Sequence, residues 1–386
     1  MKEKWNNIKN KILNFQGVAT IGGTDIIGTL ISSVFWLYLP LILSSENYGE
    51  IHYILSVAGI GFIISLVGTR DVVSVFASKS IGLNSTLYLL SLIFGIITVL
   101  VITFVFEIHS MILLMGFIVN DLALGYILGK KLYKKYFTYV VIQKILTLTL
   151  GISFYFIFGF EGILYGLTLS FLPFVIIIYS EMKTTKIDFN LLKSHKEFVI
   201  NNYALSVIGA LRSHMDKIII APLLGFIILG NYALAMQVFA ILMLASNVVF
   251  KYVLPHDAQG IANSHIKKLT ILFSLVIAVL GIFVSPLVVP LIFPNFLPAI
   301  DAIQIISIAV IPATIGQMLV SKFLGNEKSR EVLTARIIAL SLMVLGILIF
   351  GPIFELQGLA LAYLLSSSGQ AAFLLTYSKK KFDKIN

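Results

Sequence analysis

Six charged residues lie well inside long apolar runs of this chain, away from the run ends: Asp25, Asp121, Lys144, Arg212, Asp216 and Lys217. A charge held in hydrocarbon is costly, and it marks an ion path, a substrate contact or a buried pair. Counted at helical rise, Asp25, Lys144 and Asp121 share one level, each about 10 Å from the basic end of its run. Two readings of an Asp–Lys–Asp cluster follow. It ties three helices together, or it forms a coupling site where one carboxylate exchanges a proton or a sodium ion. Arg212 falls midway along its run, and a guanidinium fork suits a phosphate or pyrophosphate. Asp216 is four residues further on, so the two could instead pair along one helix face. Lys217 lies near the far boundary and can snorkel. Arg70 sits beside Asp71 at the mouth of a run, where it either receives an anionic group or anchors the helix. The six histidines are scattered and there is no cysteine, so no metal site is expected and disulfide and thiolate chemistry are excluded.

The elements that must position these residues are membrane helices. Of 386 residues, 58% are hydrophobic and only 12% are charged, against roughly 25% charged in soluble domains. Runs long enough to cross a bilayer cover about 18–43, 48–69, 84–106, 109–129, 137–159 and 161–180, then 199–222, 227–250, 269–291, 299–321, 332–351 and 355–377. The pairs 137–159/161–180 and 332–351/355–377 are so close that each must be a tight hairpin. Lys and Arg fall only in alternate gaps, in the two termini or inside runs, while the opposite gaps and the run ends that border them hold Glu46, Glu50, Glu107, Glu161, Asp301 and Glu355. That asymmetry places both termini in the cytoplasm. Residues 1–17 read as a basic amphipathic helix at the interface, and 379–386 as a basic cytoplasmic tail. The net charge of +10 is dispersed over short loops, which excludes a nucleic-acid patch and suits an anionic inner leaflet. A phosphate-binding loop, a cytosolic domain and a catalytic outer loop are all lacking, so neither an ATP-driven pump nor an enzyme is expected.

The halves repeat. Leu128-Gly129-Lys130-Lys131 matches Leu324-Gly325-Asn326-Glu327, and Gly162-Ile163-Leu164-Tyr165-Gly166 matches Gly358-Leu359-Ala360-Leu361-Ala362 at the same offset. Glu46-Asn47-Tyr48-Gly49 is similar to Gly230-Asn231-Tyr232-Ala233. Two parallel six-helix lobes are expected, at 18–180 and 199–378, joined by a cytoplasmic linker at 181–198, with a site between them.

Several stretches carry a family resemblance. Ser44-Ser45-Glu46-Asn47-Tyr48-Gly49 resembles the turn after span 1 in prokaryotic polysaccharide biosynthesis proteins. Met215-Asp216-Lys217-Ile218, Gly230-Asn231-Tyr232-Ala233-Leu234-Ala235 and Gly325-Asn326-Glu327-Lys328 continue the likeness. Those proteins are oligosaccharide flippases of the multidrug/oligosaccharidyl-lipid/polysaccharide (MOP, MATE-like) exporter superfamily. The resemblance implies a V-shaped all-α membrane protein of about twelve helices in the cell membrane. It implies alternating-access transport of a polyprenyl-(pyro)phosphate-linked oligosaccharide to the outer leaflet, for surface polysaccharide or glycan assembly. Arg212 and Arg70 would hold the headgroup, Asp25, Asp121 and Lys144 would serve ion coupling, and Asp216 and Lys217 would be their partners in the second lobe. Membrane lipid and glycosyltransferases of the same pathway would be the partners, and no cofactor is implied beyond H+ or Na+ as coupling ion. The alternative within the superfamily is a cation/drug antiporter.

Overall fold

The computed structural model describes the backbone of residues 2–106, 109–261 and 263–382, and side chains from residue 20 onward except 105–110, 205, 262 and 379–386. The amphipathic face expected at 1–17, the basic tail, Glu107 and His109 fall outside the described side chains. Among the described residues every regular element is helical: α1 (Lys2–Ile42), α2 (Ser45–Ser65), α3 (Arg70–Ser78), α4 (Asn84–Phe106), α5 (Leu113–Gly129), α6 (Tyr133–Phe158), α7 (Phe160–Leu169) and α8 (Leu172–Thr184). After α9 (Phe189–Ser194) come α10 (Lys196–Leu224), α11 (Phe226–Leu242), α12 (Leu244–Ala258), α13 (Ser264–Ile292), α14 (Ala299–Gly325) and α15 (Ser329–Phe382).

Eight helical lengths are long and apolar enough to cross a membrane, or nine with the bent pair α11–α12. α15 holds two such lengths around a non-helical Glu355. The 17-residue apolar α5 and the charge-bearing α10 complete twelve crossings. The residues 1–17 are not set off as a separate helix, because α1 runs unbroken from Lys2. Phe104, Phe283 and Leu291 stand far out from their helices, as lipid-facing side chains do when every backbone group is satisfied within the helix.

The internal repeat is written in the backbone. Non-glycine residues at positive φ are rare, yet Lys131 (φ 57°) and Glu327 (φ 59°) stand 196 positions apart, and Glu355 (φ 46°) stands 196 positions after a positive-φ glycine, Gly159 (φ 72°). At each member of the first pair the chain leaves its helix by one pattern. The Lys131 N–H donates to the Leu128 carbonyl, and the Glu327 N–H to that of Leu324. At the hairpins, a Cβ on Gly162 would strike the Phe154 carbonyl, and one on Gly358 would strike that of Phe350, again 196 apart. Ser80 and Gly260 form a third positive-φ pair, offset by 180.

Two spans are broken at related places. The run expected at 48–69 ends as a helix at Ser65, and a short non-helical stretch leads into α3. The counterpart run is bent by 48° between α11 and α12. The chain divides into two compact units, one of Met1–Phe35 with Ile54–His214, the other of Trp36–Tyr53 with Met215–Asn386. These bounds depart from the expected lobes, since parts of α1 and α2 cluster with the second half and most of α10 with the first. Part of the reason is steric. Gly49 and Gly230 lack side chains, so the starts of α2 and α11 meet backbone to backbone.

Candidate functional site: a charged break in the first repeat

A helix broken at membrane depth exposes backbone N–H groups that must find partners. At the α2–α3 break those partners are side chains. The Val67 N–H donates to Ser91 Oγ at 3.1 Å, and Thr69 caps α3 by accepting from the Val72 N–H at 3.4 Å. The Arg70 N–H donates to Asp121 Oδ2 at 2.8 Å, so this carboxylate sits at the positive end of the half-helix. Arg70 also returns to the same group through its side chain, with Nη2 at 3.0 Å from Asp121 Oδ1. The Asp121 side chain is 15% exposed and that of Arg70 is 39% exposed. The Arg70 Nε is buried and donates to nothing among the described residues. α5 approaches this closely because it has glycines on one face. A Cβ at Gly125 would collide with the Arg70 carbonyl, and one at Gly129 with that of Ser74.

Asp25 lies on α1 in the same unit. It accepts from the Tyr136 hydroxyl at 3.0 Å, and Tyr136 is buried near the start of α6. Lys144 stands two turns further along α6, with its stem packed against Gly28 of α1. It forms no ion pair with Asp25 or Asp121. The expected Asp–Lys–Asp cluster is therefore replaced by two separate constellations, Asp25–Tyr136 and Arg70–Asp121. The physical reason is the break. It brings a guanidinium and an orphan N–H to Asp121, which outcompete a lysine that would have to reach across from α6. Beside Lys144, a neutral network links Gln143, Thr147 and Ser170, all buried, at 2.9–3.2 Å.

In the second unit, Asp216 is buried. It accepts from the Tyr232 hydroxyl at 3.2 Å and is paired with Lys217 Nζ at 3.2 Å. The helix-internal partner expected from Arg212 is thus replaced by these two groups, and the Arg212 side chain itself is exposed. Lys217 is 17% exposed rather than snorkelling out. Sequence reasoning missed Tyr136 and Tyr232 as acid partners. It also missed Asp257, which binds Lys267 Nζ at 2.6 Å and accepts from Ser321 at 2.5 Å.

The counterparts of the Arg70–Asp121 pair are uncharged. At the 196-residue offset Asp121 corresponds to Gln317, whose amide donates to Asn247 Oδ1 at 2.7 Å. At the 180-residue offset Arg70 corresponds to Phe250. Gly325, like Gly129, is bare so that α12 can approach at Asp257.

No protein-family model and no curated protein matches the sequence. Solved structures do match. The lipid II flippase MurJ in an inward closed conformation aligns with a TM-score of 0.65 at 15% identity, over 96% of this chain and 87% of its own. An outward-facing multidrug resistance MATE family transporter of the MOP superfamily aligns at 0.61 and 15% identity, over 95% and 96%. A MATE in a bent conformation gives 0.59 and 14% identity, over 95% of each chain. The fold is that of MATE transporters and of MurJ. In this MATE-like fold the charged break is a property of this chain's own side chains, because identities of this size carry the backbone alone.

Proposed function

We propose that this protein is a flippase that moves a polyprenyl-(pyro)phosphate-linked oligosaccharide from the cytoplasmic to the outer leaflet by alternating access. The observation that carries the reading is the asymmetry of the two breaks. The fold holds its second break with a neutral Gln317–Asn247 pair. The Arg70–Asp121 pair is therefore not required to hold the first break, and a costly intramembrane charge is retained there for another purpose. Arg70 spends Nη2 on Asp121 and keeps further donors, in a half-exposed position suited to a phosphate oxygen. Arg212, exposed and at mid-run, serves as a second headgroup contact. Release of Asp121 from Arg70 when the headgroup arrives would let the carboxylate take up a coupling proton or sodium ion. The distribution of Lys and Arg supports a cytoplasmic location for both termini and for the α3 end of the break. The shared fold with a lipid II flippase supports a lipid-linked substrate.

Cation/drug antiport is the second reading. It is favoured by the carboxylates of Asp25 and Asp121, which would suit a cationic cargo. Proteoliposomes separate the two. A fluorescent polyprenyl-pyrophosphate sugar should cross the bilayer with the wild-type protein and fail to cross with Arg70→Ala or Arg212→Ala. Flipping that persists in both variants would remove Arg70 and Arg212 as headgroup contacts, and exchange of cationic dye for protons with no flipping by the wild type would remove the flippase assignment.

A further inference from the structure

The turns that follow α5 and α14 match in backbone and differ in charge. Residues 129–135 read Gly-Lys-Lys-Leu-Tyr-Lys-Lys, and residues 325–331, at the 196-residue offset, read Gly-Asn-Glu-Lys-Ser-Arg-Glu. The first turn holds four lysines and no acid, while the second holds two cations and two acids. Both leave their helix through one positive-φ residue and one hydrogen-bond pattern. The backbone of the turn therefore does not require a lysine cluster. Nor does a cytoplasmic location, since the distribution of Lys and Arg places both turns on that side, and the second carries no net charge. Helix stability does not require it either. Lys134 and Lys135 stand in the first turn of α6, where the helix dipole disfavours cations. The second repeat has an acid in the matching turn, Glu331 of α15.

In the second turn the charges are used within the protein. Lys328 Nζ lies 5.9 Å from the centre of the Phe323 ring, and Glu331 accepts from the Tyr377 hydroxyl at 3.0 Å. In the first turn they are not. Lys130 Nζ donates to Ser80 Oγ at 3.4 Å, which brings Lys79 of the α3–α4 turn into the same patch. All five lysines, Lys79, Lys130, Lys131, Lys134 and Lys135, are exposed. Among the described residues none of them forms an ion pair. The sequence holds no Asp or Glu from 72 to 106 or from 122 to 160, and Asp71 stands at the opposite end of α3. Five like charges on one surface repel each other and call for an outside counterion.

The run of α6 below the lysines indicates what that counterion is attached to. Lys134 shares a helix face with Phe137 and Ile145, three and eleven residues on, and Lys135 with Ile142, seven residues on. Phe137, Ile142 and Ile145 are all exposed. An apolar stripe headed by cations matches the two parts of a lipid, with acyl chains along the stripe and an anionic headgroup at the ammonium groups. An acidic protein would need the cations but not the stripe.

We propose that the lysine patch at the α5–α6 and α3–α4 turns is a docking site for an anionic phospholipid of the cytoplasmic leaflet. The lipid phosphate lies among Lys79, Lys130, Lys131, Lys134 and Lys135, and its chains cover Phe137, Ile142 and Ile145. The site is distinct from the charged break, since Arg70 is at the other end of α3. It stands whatever the cargo is.

The test titrates the purified full chain in neutral detergent with phosphatidylglycerol, and with phosphatidylcholine as the net-neutral reference. Bound lipid is counted by native mass spectrometry. The wild-type protein should prefer phosphatidylglycerol by about 30-fold, the effect of two lysines near an anionic surface. The preference should fade in about 0.5 M salt. The variant Lys130→Asn, Lys131→Glu, Lys135→Glu gives the first turn the charges of the second and should lose the preference. Replacing the same three lysines by arginine should keep it, which separates a lost charge from a damaged fold. Equal binding of the two lipids by the wild type would overturn the proposal. A preference that survives the charge-changing variant, or that ignores salt, would do the same. Retention of a polyglutamate peptide with no preference between the lipids would give the patch to an acidic protein instead. Transport enters none of these measurements, so failure of the flippase reading leaves the lipid site standing.

Discussion

The two repeats share a backbone and differ in charge. Both turn at matching positive-φ residues, both break the second helix, and both use a bare glycine, Gly129 or Gly325, to admit the half-helix. Yet the first repeat sets Arg70 and Asp121 at its break, where the second sets Phe250 and Gln317. It likewise sets Glu181 where the second has Tyr377. Each half is a control for the other. Features present in both are what the fold needs, and charges present in one alone are candidates for function.

The largest expected effect falls on the shared features. Gly129→Val and Gly325→Val each drive a branched side chain into the backbone of a neighbouring half-helix, with no flexible atom to yield. Each should cost about 3 kcal/mol or more, read as a lowered melting temperature in detergent. A loss at Gly129 with none at Gly325 would break the equivalence of the two packings.

Next comes the charge itself. The double variant Arg70→Phe, Asp121→Gln gives the first break the residues of the second. Its melting temperature should stay near that of the wild type, because no single buried charge is left unpaired. If Arg70 holds a phosphate as proposed, transport should fall about 100-fold, the loss expected when a charged hydrogen bond is removed. Asp121→Gln alone should be the less stable protein, since Arg70 is left in place without its partner. If the double variant transported normally, the break would be structural and the comparison would lose its functional meaning.

Much of this architecture was legible in the residues. The helical crossings follow from apolar length, and the tight hairpins from the closeness of 159 to 161 and of 351 to 355. The 196-residue offset was visible in Gly129/Gly325 and Gly162/Gly358. The breaks were harder to see, because an apolar window averages over Val67-Gly68-Thr69 and over Met243. The signal available was Gly68-Thr69 directly before Arg70, a capping residue inside a hydrophobic run. Asp121 was assigned to Lys144 by depth alone, and depth carries no information on which helix faces which. Tyr136 was missed because tyrosines near span ends ordinarily belong to the interfacial belt. The same offset sets Asp121 against Gln317, which marks this acid as particular to the first repeat.

A smaller effect separates the two tyrosine–acid pairs. Tyr136→Phe and Tyr232→Phe each remove a hydroxyl from a carboxylate. Asp216 keeps Lys217, so Tyr232→Phe should cost about 1 kcal/mol. Tyr136→Phe should cost less stability, because Asp25 is partly exposed and water can replace the phenol. Its larger effect should be on transport, through a changed ion dependence. Equal losses of stability with no transport phenotype would assign Asp25–Tyr136 to packing.

The hairpin turns provide the finest comparison. Gly159 and Glu355 occupy one backbone position in the two repeats, both at positive φ, but only glycine adopts that conformation freely. A non-glycine residue there carries roughly 1–2 kcal/mol of steric cost. Glu355→Gly should therefore raise the melting temperature, by about 1 kcal/mol after the extra freedom of glycine in the unfolded chain is deducted. Gly159→Ala should lower it by a similar amount. The side chain at 355 leaves little to lose, since Glu355 is exposed. A Glu355→Gly variant that is less stable than the wild type would mean that the glutamate holds the second hairpin by a contact the first does not need. The two turns would then be alike in backbone alone.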